Sequence, residues 1–207
     1  MFYFVKTPWL LKKCYPGCLW NMPRSEKKIY LTFDDGPHPE ATPFVLEQLA
    51  KYNAKATFFC IGKNVQEYPE VYKRILEAGH LTGNHTHNHL NGWQVTDREY
   101  FENIRLAKKY IDSNLFRPPY GRISRFQLKA LTDSANFKVV MWDVLSADFD
   151  REVTAEKCAS IVRKYSEEGS IVIFHDSEKA MQRMQHALPE TLDYFTKKGF
   201  RFETLDY

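Results

Sequence analysis

Short apolar runs alternate with longer amphipathic segments along most of the chain, which predicts strands and helices in turn. The strand-like runs cover residues 29–33, 56–61, 80–83, 115–117, 138–142, 170–174 and 200–205. The helix-like segments cover residues 41–52, 70–78, 97–113, 124–134, 155–168 and 181–198. Strands that alternate with helices in this way favour a parallel sheet of the α/β class. The pattern alone leaves open whether that sheet is open or closed.

Two adjacent carboxylates end the first strand-like run. Asp34 and Asp35 follow Thr32 and Phe33, and a Gly-Pro turn comes next. Neighbouring side chains on a strand point to opposite faces, so the two carboxylates diverge unless the backbone turns. Each also needs a cation or hydrogen-bond donors where it is sheltered from water. An isolated Asp-Asp pair is ordinarily a helix cap beside a solvated carboxylate, but other polar clusters accompany this pair.

The sequence GNHTHNH at residues 83–89 holds three of the seven histidines of the chain. His85 and His89 are four residues apart and can turn both rings to one side of a tight turn. With one carboxylate they supply two nitrogens and one oxygen, which suits zinc with open coordination positions. The alternative is a polar loop with solvated histidines. We expect His87, midway between the two, to lie behind the ligands or on the surface.

Three more polar clusters follow or end apolar runs, and they read RPPYGR at 117–122, WDVLSADF at 142–149 and IVIFHDS at 171–177. The carboxyl ends of successive strands are where α/β barrels carry their chemistry. In their order along the chain, the five motifs between residues 32 and 176 resemble those of the polysaccharide deacetylases of carbohydrate esterase family four. The resemblance implies a distorted (β/α) barrel with about seven parallel strands.

The same resemblance implies a division of roles between the carboxylates. Asp34 is expected to be the catalytic base, with Arg117 pairing with it and keeping it aimed, while Asp35, His85 and His89 are expected to bind the metal. The chemistry supports this division, because a carboxylate that is not a ligand is better placed to take a proton from water. We expect zinc, although cobalt, nickel and manganese suit similar ligands.

The later motifs are expected to complete the reaction. The resemblance implies that the backbone N–H of Tyr120 stabilises the oxyanion, that His175 is the general acid and that Asp148 orients it. Tyr120, Phe149 and Ile173 are expected to line a pocket for the acetyl methyl group. Phe149 stands where many members of the family carry Trp, so an indole donor is missing there.

Three charged residues in the motifs are left open between structural and functional roles. They are Arg122, Asp143 and Asp176.

Composition indicates one catalytic domain with a short preceding segment. The chain of 207 residues is 43% hydrophobic and 15% aromatic, which is enough for a substantial core. Its net charge of +3 comes from 29 basic and 26 acidic residues, and no basic run predicts nucleic-acid binding. We expect residues 1–24 to pack as an apolar and aromatic segment on a catalytic domain at 25–207, and the four cysteines to be thiols.

The N-terminal segment bears on location. Lysines and prolines interrupt it, so it offers no run of about twenty apolar residues to cross a bilayer. It also lacks the basic start and small-residue cleavage site of a secretory signal. We expect a cytoplasmic or peripherally membrane-associated protein, with the location itself left open.

We therefore expect a metal-dependent hydrolase that removes N-acetyl groups from N-acetylglucosamine-containing glycans, of the peptidoglycan or chitooligosaccharide type. The expected partner is the acetylated glycan, and the oligomeric state is left open. Alternatives are a hydrolase of the same fold acting on another amide, and a carbohydrate-binding pseudoenzyme. An iron oxygenase with two histidines and one carboxylate would leave Asp34, Arg117 and His175 unexplained.

Overall fold

Parallel strands dominate the computed structural model, which describes residues 3–206. Eight strands form one sheet in the order β1-β6-β5-β4-β3-β2-β8-β7, and β9 pairs with β2. The strands are β1 (Cys18–Leu19), β2 (Lys28–Asp34), β3 (Ala56–Cys60), β4 (Leu81–Asn84), β5 (Leu115–Phe116), β6 (Lys138–Val140), β7 (Val144–Leu145), β8 (Ile171–His175) and β9 (Arg201–Phe202).

Helices connect most of these strands, as parallel pairing requires. They are α1 (Trp9–Cys14), α2 (Ala41–Lys51), α3 (Gly62–Glu67), α4 (Pro69–Glu77), α5 (Asp97–Ala107), α6 (Arg125–Lys129), α7 (Ala155–Tyr165) and α8 (Glu178–Lys197). A π-helical turn at Ala130–Ser134 extends α6. Gly79 and Gly199 follow α4 and α8 with φ of 73° and 78°, a conformation that glycine adopts at little cost.

The predicted α/β class and parallel sheet are confirmed, but the element count differs. The described residues contain nine strands rather than about seven, because β1 and β7 were not predicted. Each of these has two residues, which is too short to show a strand period. Helices α1 and α3 were also missed, and α5 ends at Ala107 rather than at residue 113.

The core lies between the central strands and their helices. Phe33 of β2 stacks on Phe58 of β3 at 5.0 Å and lies 6.1 Å from Phe174 of β8. These rings are fully buried with the apolar faces of α2, α7 and α8. Because side chains alternate, the opposite face of β2 carries Thr32 and Asp34, which are also buried. The apolar face thus anchors the strands, and the polar face is left for chemistry.

The sheet is curled, which brings strands from its two ends close together. Val140 ends β6 near one end of the strand order and Val144 begins β7 at the other end. Four residues of extended chain span at most about 14 Å, so the two strands must lie close together. This curl agrees with the expected distorted barrel.

The N-terminal segment covers the place where β6 and β7 approach each other, which we call the seam. Lys6 forms an antiparallel bridge with Val144 of β7, and β1 pairs with β6. Buried Asp143, at the seam, accepts hydrogen bonds from Lys6 Nζ at 2.7 Å, Lys12 Nζ at 2.6 Å and Ser170 Oγ at 2.8 Å. Asp143 therefore has a structural role. Residues 1 and 2 lie outside the described residues, and the boundary at residue 24 stays a prediction.

Between residues 3 and 206, no helix has both the length and the apolar character needed to span a bilayer.

Candidate active site

The polar motifs meet at the carboxyl ends of the strands. Asp34 at the end of β2 is in register with His175 at the end of β8. His85 follows β4 directly, and Arg117 follows β5. Adjacent parallel strands end at the same edge, so residues far apart in the chain come together there.

Left-handed backbone conformations direct the side chains at this edge. Asp35, His89 and Tyr120 have φ values of 80°, 56° and 60°. Such conformations cost non-glycine residues about 1–3 kcal/mol each and concentrate at functional sites. The turn at Asp35 removes the alternation that would separate its carboxylate from that of Asp34. Both can then serve one site.

Asp35, His85 and His89 form a cluster whose ligand atoms all lie within 4.8 Å of one another. Asp35 Oδ1 is 3.7 Å from His85 Nε2 and 3.2 Å from His89 Nε2. Among the described residues, this buried oxygen has no hydrogen-bond partner. A buried, unpaired carboxylate oxygen between two imidazole nitrogens is a good fit to a divalent cation.

His85 is held in the tautomer that a ligand needs. Its Nδ1 lies 2.8 Å from the carbonyl oxygen of Arg117, which can only accept, so the proton is on Nδ1. Nε2 is then free to bind a metal, in the usual arrangement behind a histidine ligand. Burial lowers the pKa of His85 to about 4, so the ring is neutral at pH 7.

Arg117 is fully buried and holds Asp34. Its Nη1 donates to Asp34 Oδ1 and to Thr32 Oγ1, both at 2.7 Å, and Nη2 donates to the Met141 carbonyl at 2.9 Å. The guanidinium lies 4.0 Å from the ring centroid of Phe59. Asp34 Oδ2 points to the cluster, 4.0 Å from His85 Nε2. The Asp34 carboxylate is thus held beside the three possible metal ligands but is not one of them.

His175 is paired with fully buried Asp148. The ring Nδ1 lies 2.7 Å from Asp148 Oδ1, and the His175 backbone N–H donates to Asp148 Oδ2 at 2.8 Å. Burial lowers the pKa of His175, but Asp148, with smaller contributions from Asp35 and Asp34, outweighs burial and raises it to about 9. The imidazole is therefore protonated near neutral pH and can donate a proton.

Replacing Asp148 with Asn should lower the pKa of His175 markedly. The wild-type pKa of about 9 lies above the ordinary 6.5, so this pairing stabilises the fold fully below about pH 6.5 and is lost as pH rises through 9. NMR titration of the His175 ring in metal-free protein measures both values. An unchanged His175 pKa in the variant would show that Asp148 does not control the protonation of this ring.

The remaining predicted residues lie as follows. Phe149 packs edge-on against the His175 ring at 5.2 Å, and Tyr120 packs against His89 at 4.6 Å. Ile173 is buried two residues before His175 and so lies on the same face of β8. His87 is buried with its ring 5.7 Å from Tyr110, which excludes the surface position and leaves the other expected position, behind the possible ligands.

Asp176, left open from the sequence, fastens the turn that carries the two carboxylates. Its Oδ1 accepts from Gly36 N–H at 3.1 Å and its Oδ2 from Thr42 Oγ1 at 2.5 Å. A Cβ on Gly36 would lie 2.0 Å from Asp176 Oδ2, so glycine is required for this approach. Burial raises the pKa of Asp176 to about 8. The contacts assign it a positioning role.

Replacing Asp176 with Ala should loosen this turn and leave two buried donors without an acceptor. We expect a loss of about 1–3 kcal/mol in the free energy of unfolding, with a lower kcat because Asp34 and Asp35 are less well placed. Urea unfolding and activity assays measure the two effects. The matched control is Asp133→Ala, since Asp133 is exposed on a different element. Stability and kcat equal to those of the control would contradict the role.

Three supporting residues were missed from the sequence. Thr32 helps to hold Arg117, Asn64 Nδ2 donates to the Asp35 carbonyl at 2.7 Å, and Asn84 Oδ1 accepts from Thr86 N–H at 2.8 Å. Thr32 could have been found, because it is two residues from Asp34 and shares its strand face. Asn64 comes from another connection, and no local pattern indicates its partner.

Comparisons with known proteins agree with this geometry. The family model described as polysaccharide deacetylase matches residues 21–140. A peptidoglycan-N-acetylglucosamine deacetylase of Bacillus cereus is 37% identical over 90% of this chain and 90% of its own length. A chitooligosaccharide deacetylase of Azorhizobium caulinodans is 33% identical over 82% of this chain and 85% of its own length.

A solved structure extends the likeness to three dimensions. The Bc1960 peptidoglycan N-acetylglucosamine deacetylase superimposes with a TM-score of 0.88 at 34% identity, covering 96% of this chain and 95% of that chain. Metal dependence is typical of this family. Because the family model matches more than half of the residues of the chain, the chain belongs to the polysaccharide deacetylases of carbohydrate esterase family four.

Proposed function

We propose that the protein is a metal-dependent deacetylase that hydrolyses the N-acetyl group of N-acetylglucosamine in a glycan polymer or oligomer. One observation carries the proposal: Asp34 and His175 lie in register at the ends of β2 and β8, the first held by Arg117 and the second by Asp148. Both lie at the strand edge that also carries the Asp35 cluster, which consists of Asp35, His85 and His89. The relatives named for peptidoglycan and chitooligosaccharide deacetylation support the substrate class.

Asp35, His85 and His89 would hold the cation, and zinc is the first choice because two imidazoles and a carboxylate suit it. Cobalt, nickel or manganese would fit the same ligand types. When bound, such an ion supplies Lewis-acid chemistry, polarising the acetyl carbonyl and making water a nucleophile at neutral pH. The following roles belong to the residues of the chain itself.

Asp34 would remove the proton from the attacking water. Its Oδ1 is occupied by Arg117, while Oδ2 faces the His85 ring. A base is most effective when its orientation is fixed before the reaction, and the buried guanidinium provides that constraint. Arg117 is in this sense a positioning residue that acts through Asp34.

The attack places negative charge on the former carbonyl oxygen. The backbone N–H of Tyr120 would stabilise this charge, since preorganised donors are most valuable where charge develops. The turn at Tyr120 packs closely on Trp142, because a Cβ on Gly121 would lie 2.5 Å from the Trp142 ring. The preceding Pro118 and Pro119 stiffen the same turn.

Cleavage of the amide requires a proton on the leaving nitrogen. His175 would donate it from the imidazolium that Asp148 stabilises. Phe149, against the His175 ring, and Ile173, on the same strand face, would exclude water and accept the acetyl methyl group with Tyr120.

Acetate release from N-acetylglucosamine oligomers and from peptidoglycan fragments tests the proposal. The protein is stripped of metal and reloaded with zinc or cobalt, and Asp34→Asn is assayed alongside. We expect release that requires the ion and disappears in the variant. Metal-loaded protein that binds these glycans without releasing acetate would instead be a carbohydrate-binding pseudoenzyme. Acetate or another acid released only from a non-sugar amide would identify the alternative substrate class.

A further inference from the structure

Exposed Trp93 and half-buried Arg122 form a pair that the roles above do not use. The Arg122 guanidinium lies 4.4 Å from the centroid of the Trp93 ring, and Trp93 is 55% exposed. Within residues 3–206, Arg122 has no carboxylate partner. A stacked guanidinium without an anion keeps its N–H donors available in a geometry that matches a carboxylate.

The pair lies beside the proposed oxyanion donor. Arg122 is two residues from Tyr120, whose ring packs against His89, and Trp93 is four residues from His89. The two loops touch, because a Cβ on Gly92 would lie only 2.7 Å from the Arg122 carbonyl oxygen. Two residues of chain reach at most about 7 Å, so the backbone of Arg122 lies close to the site at which deacetylation is proposed, and the Trp93 loop lies against it.

The loop under Trp93 is firmly held. Buried Gln127 donates from Nε2 to the Gly92 carbonyl and to Asp97 Oδ1, both at 2.8 Å, and its Oε1 accepts from Ser124 N–H at 2.9 Å. Trp93 N–H donates to Asn91 Oδ1 at 3.0 Å. The aromatic surface is therefore preorganised, which reduces the entropy lost when a ligand binds.

We propose that Trp93 and Arg122 form a second sugar subsite that binds the glycan residue next to the one being deacetylated and selects for a carboxylate on it. The exposed indole packs on the C–H groups of the neighbouring sugar, and Arg122 pairs with the carboxylate of a lactyl or peptide substituent. This inference rests on the proposed function and deepens it. It favours peptidoglycan-type glycans over neutral chitooligosaccharides.

The test compares two oligomers of equal length, one of alternating N-acetylglucosamine and N-acetylmuramic acid and one of N-acetylglucosamine alone. Wild type should have the higher kcat/KM on the acidic oligomer. Arg122→Gln should lower that value by about fivefold, mainly through KM and less at high salt, as for a partly exposed ion pair. The same variant should change the value for the neutral oligomer by less than about twofold. Trp93→Ala should lower both by a similar factor.

The matched control is Arg125→Gln, since Arg125 is an exposed arginine three residues away. Binding of both oligomers is also measured by calorimetry in an Asp34→Asn background, so the result does not depend on turnover. Loss of acidic-oligomer binding specific to Arg122→Gln supports the subsite even if wild type releases no acetate, which would count only against the proposed function. The inference would be overturned if Arg122→Gln changed the binding of both oligomers equally or changed neither. Normal acetate release in that case would leave the proposed function intact.

Discussion

Asp34→Asn should reduce kcat for acetate release by about 10²–10⁴-fold, the range expected for loss of a general base. The amide is nearly the same size and can still accept from Arg117, so the fold should be kept, but stability should fall because the buried guanidinium loses its anion. Metal binding should also be retained, because Asp34 is not in the Asp35 cluster and its Oδ2 is 4.0 Å from His85 Nε2. Acetate assays and zinc-binding calorimetry on the same preparation measure the two properties.

Two outcomes would contradict this expectation in different ways. A kcat within about twofold of wild type would mean that another group takes the proton. Loss of zinc binding would mean that Asp34 is itself a ligand. Asp133→Asn is the matched control, because Asp133 is exposed and pairs with Lys129 and Thr132 in its own helical segment.

Arg117→Met should produce the largest loss of stability of any single change considered, about 3–5 kcal/mol in the free energy of unfolding. Methionine fills similar volume but leaves the buried Asp34 carboxylate without its cation, and Thr32 without its donor. Activity should fall with it because the base loses its orientation. Urea unfolding followed by tryptophan fluorescence measures the stability.

The double variant Arg117→Met with Asp34→Asn separates charge from packing. Removing the uncompensated carboxylate should recover part of the lost stability, since truncating one partner of a buried pair costs more than replacing both. Arg201→Met is the control, because Arg201 pairs with Glu26 at the surface, where ion pairs contribute little. A loss below about 1 kcal/mol in Arg117→Met would show that the clamp does not stabilise the fold.

The positions of the chemical groups were predictable because strand ends can be read from the chain. Asp34 and His175 each end a run of apolar residues, and parallel strands bring such ends to one edge. The predicted residues Asp35, His85 and His89 lie together for that reason. Their roles in catalysis stay a proposal.

Other features could not be read because they depend on contacts distant in sequence. The positive φ at Asp35 was not indicated, because the glycine of this turn is the next residue and not Asp35 itself. The carbonyl of Arg117 that fixes the His85 tautomer is 32 residues away, and Asp176 reaches Gly36 across 140 residues. The two-residue strands β1 and β7 are defined by their pairing with β6 and β8, which their own short sequences do not indicate.

A zinc titration of metal-free protein, with bound zinc and acetate release measured on the same samples, tests the central claim most directly. We predict that release from an N-acetylglucosamine oligomer rises in proportion to bound zinc and reaches its maximum at one ion per chain. Full release in the absence of any metal, or none with the site filled, would contradict the account.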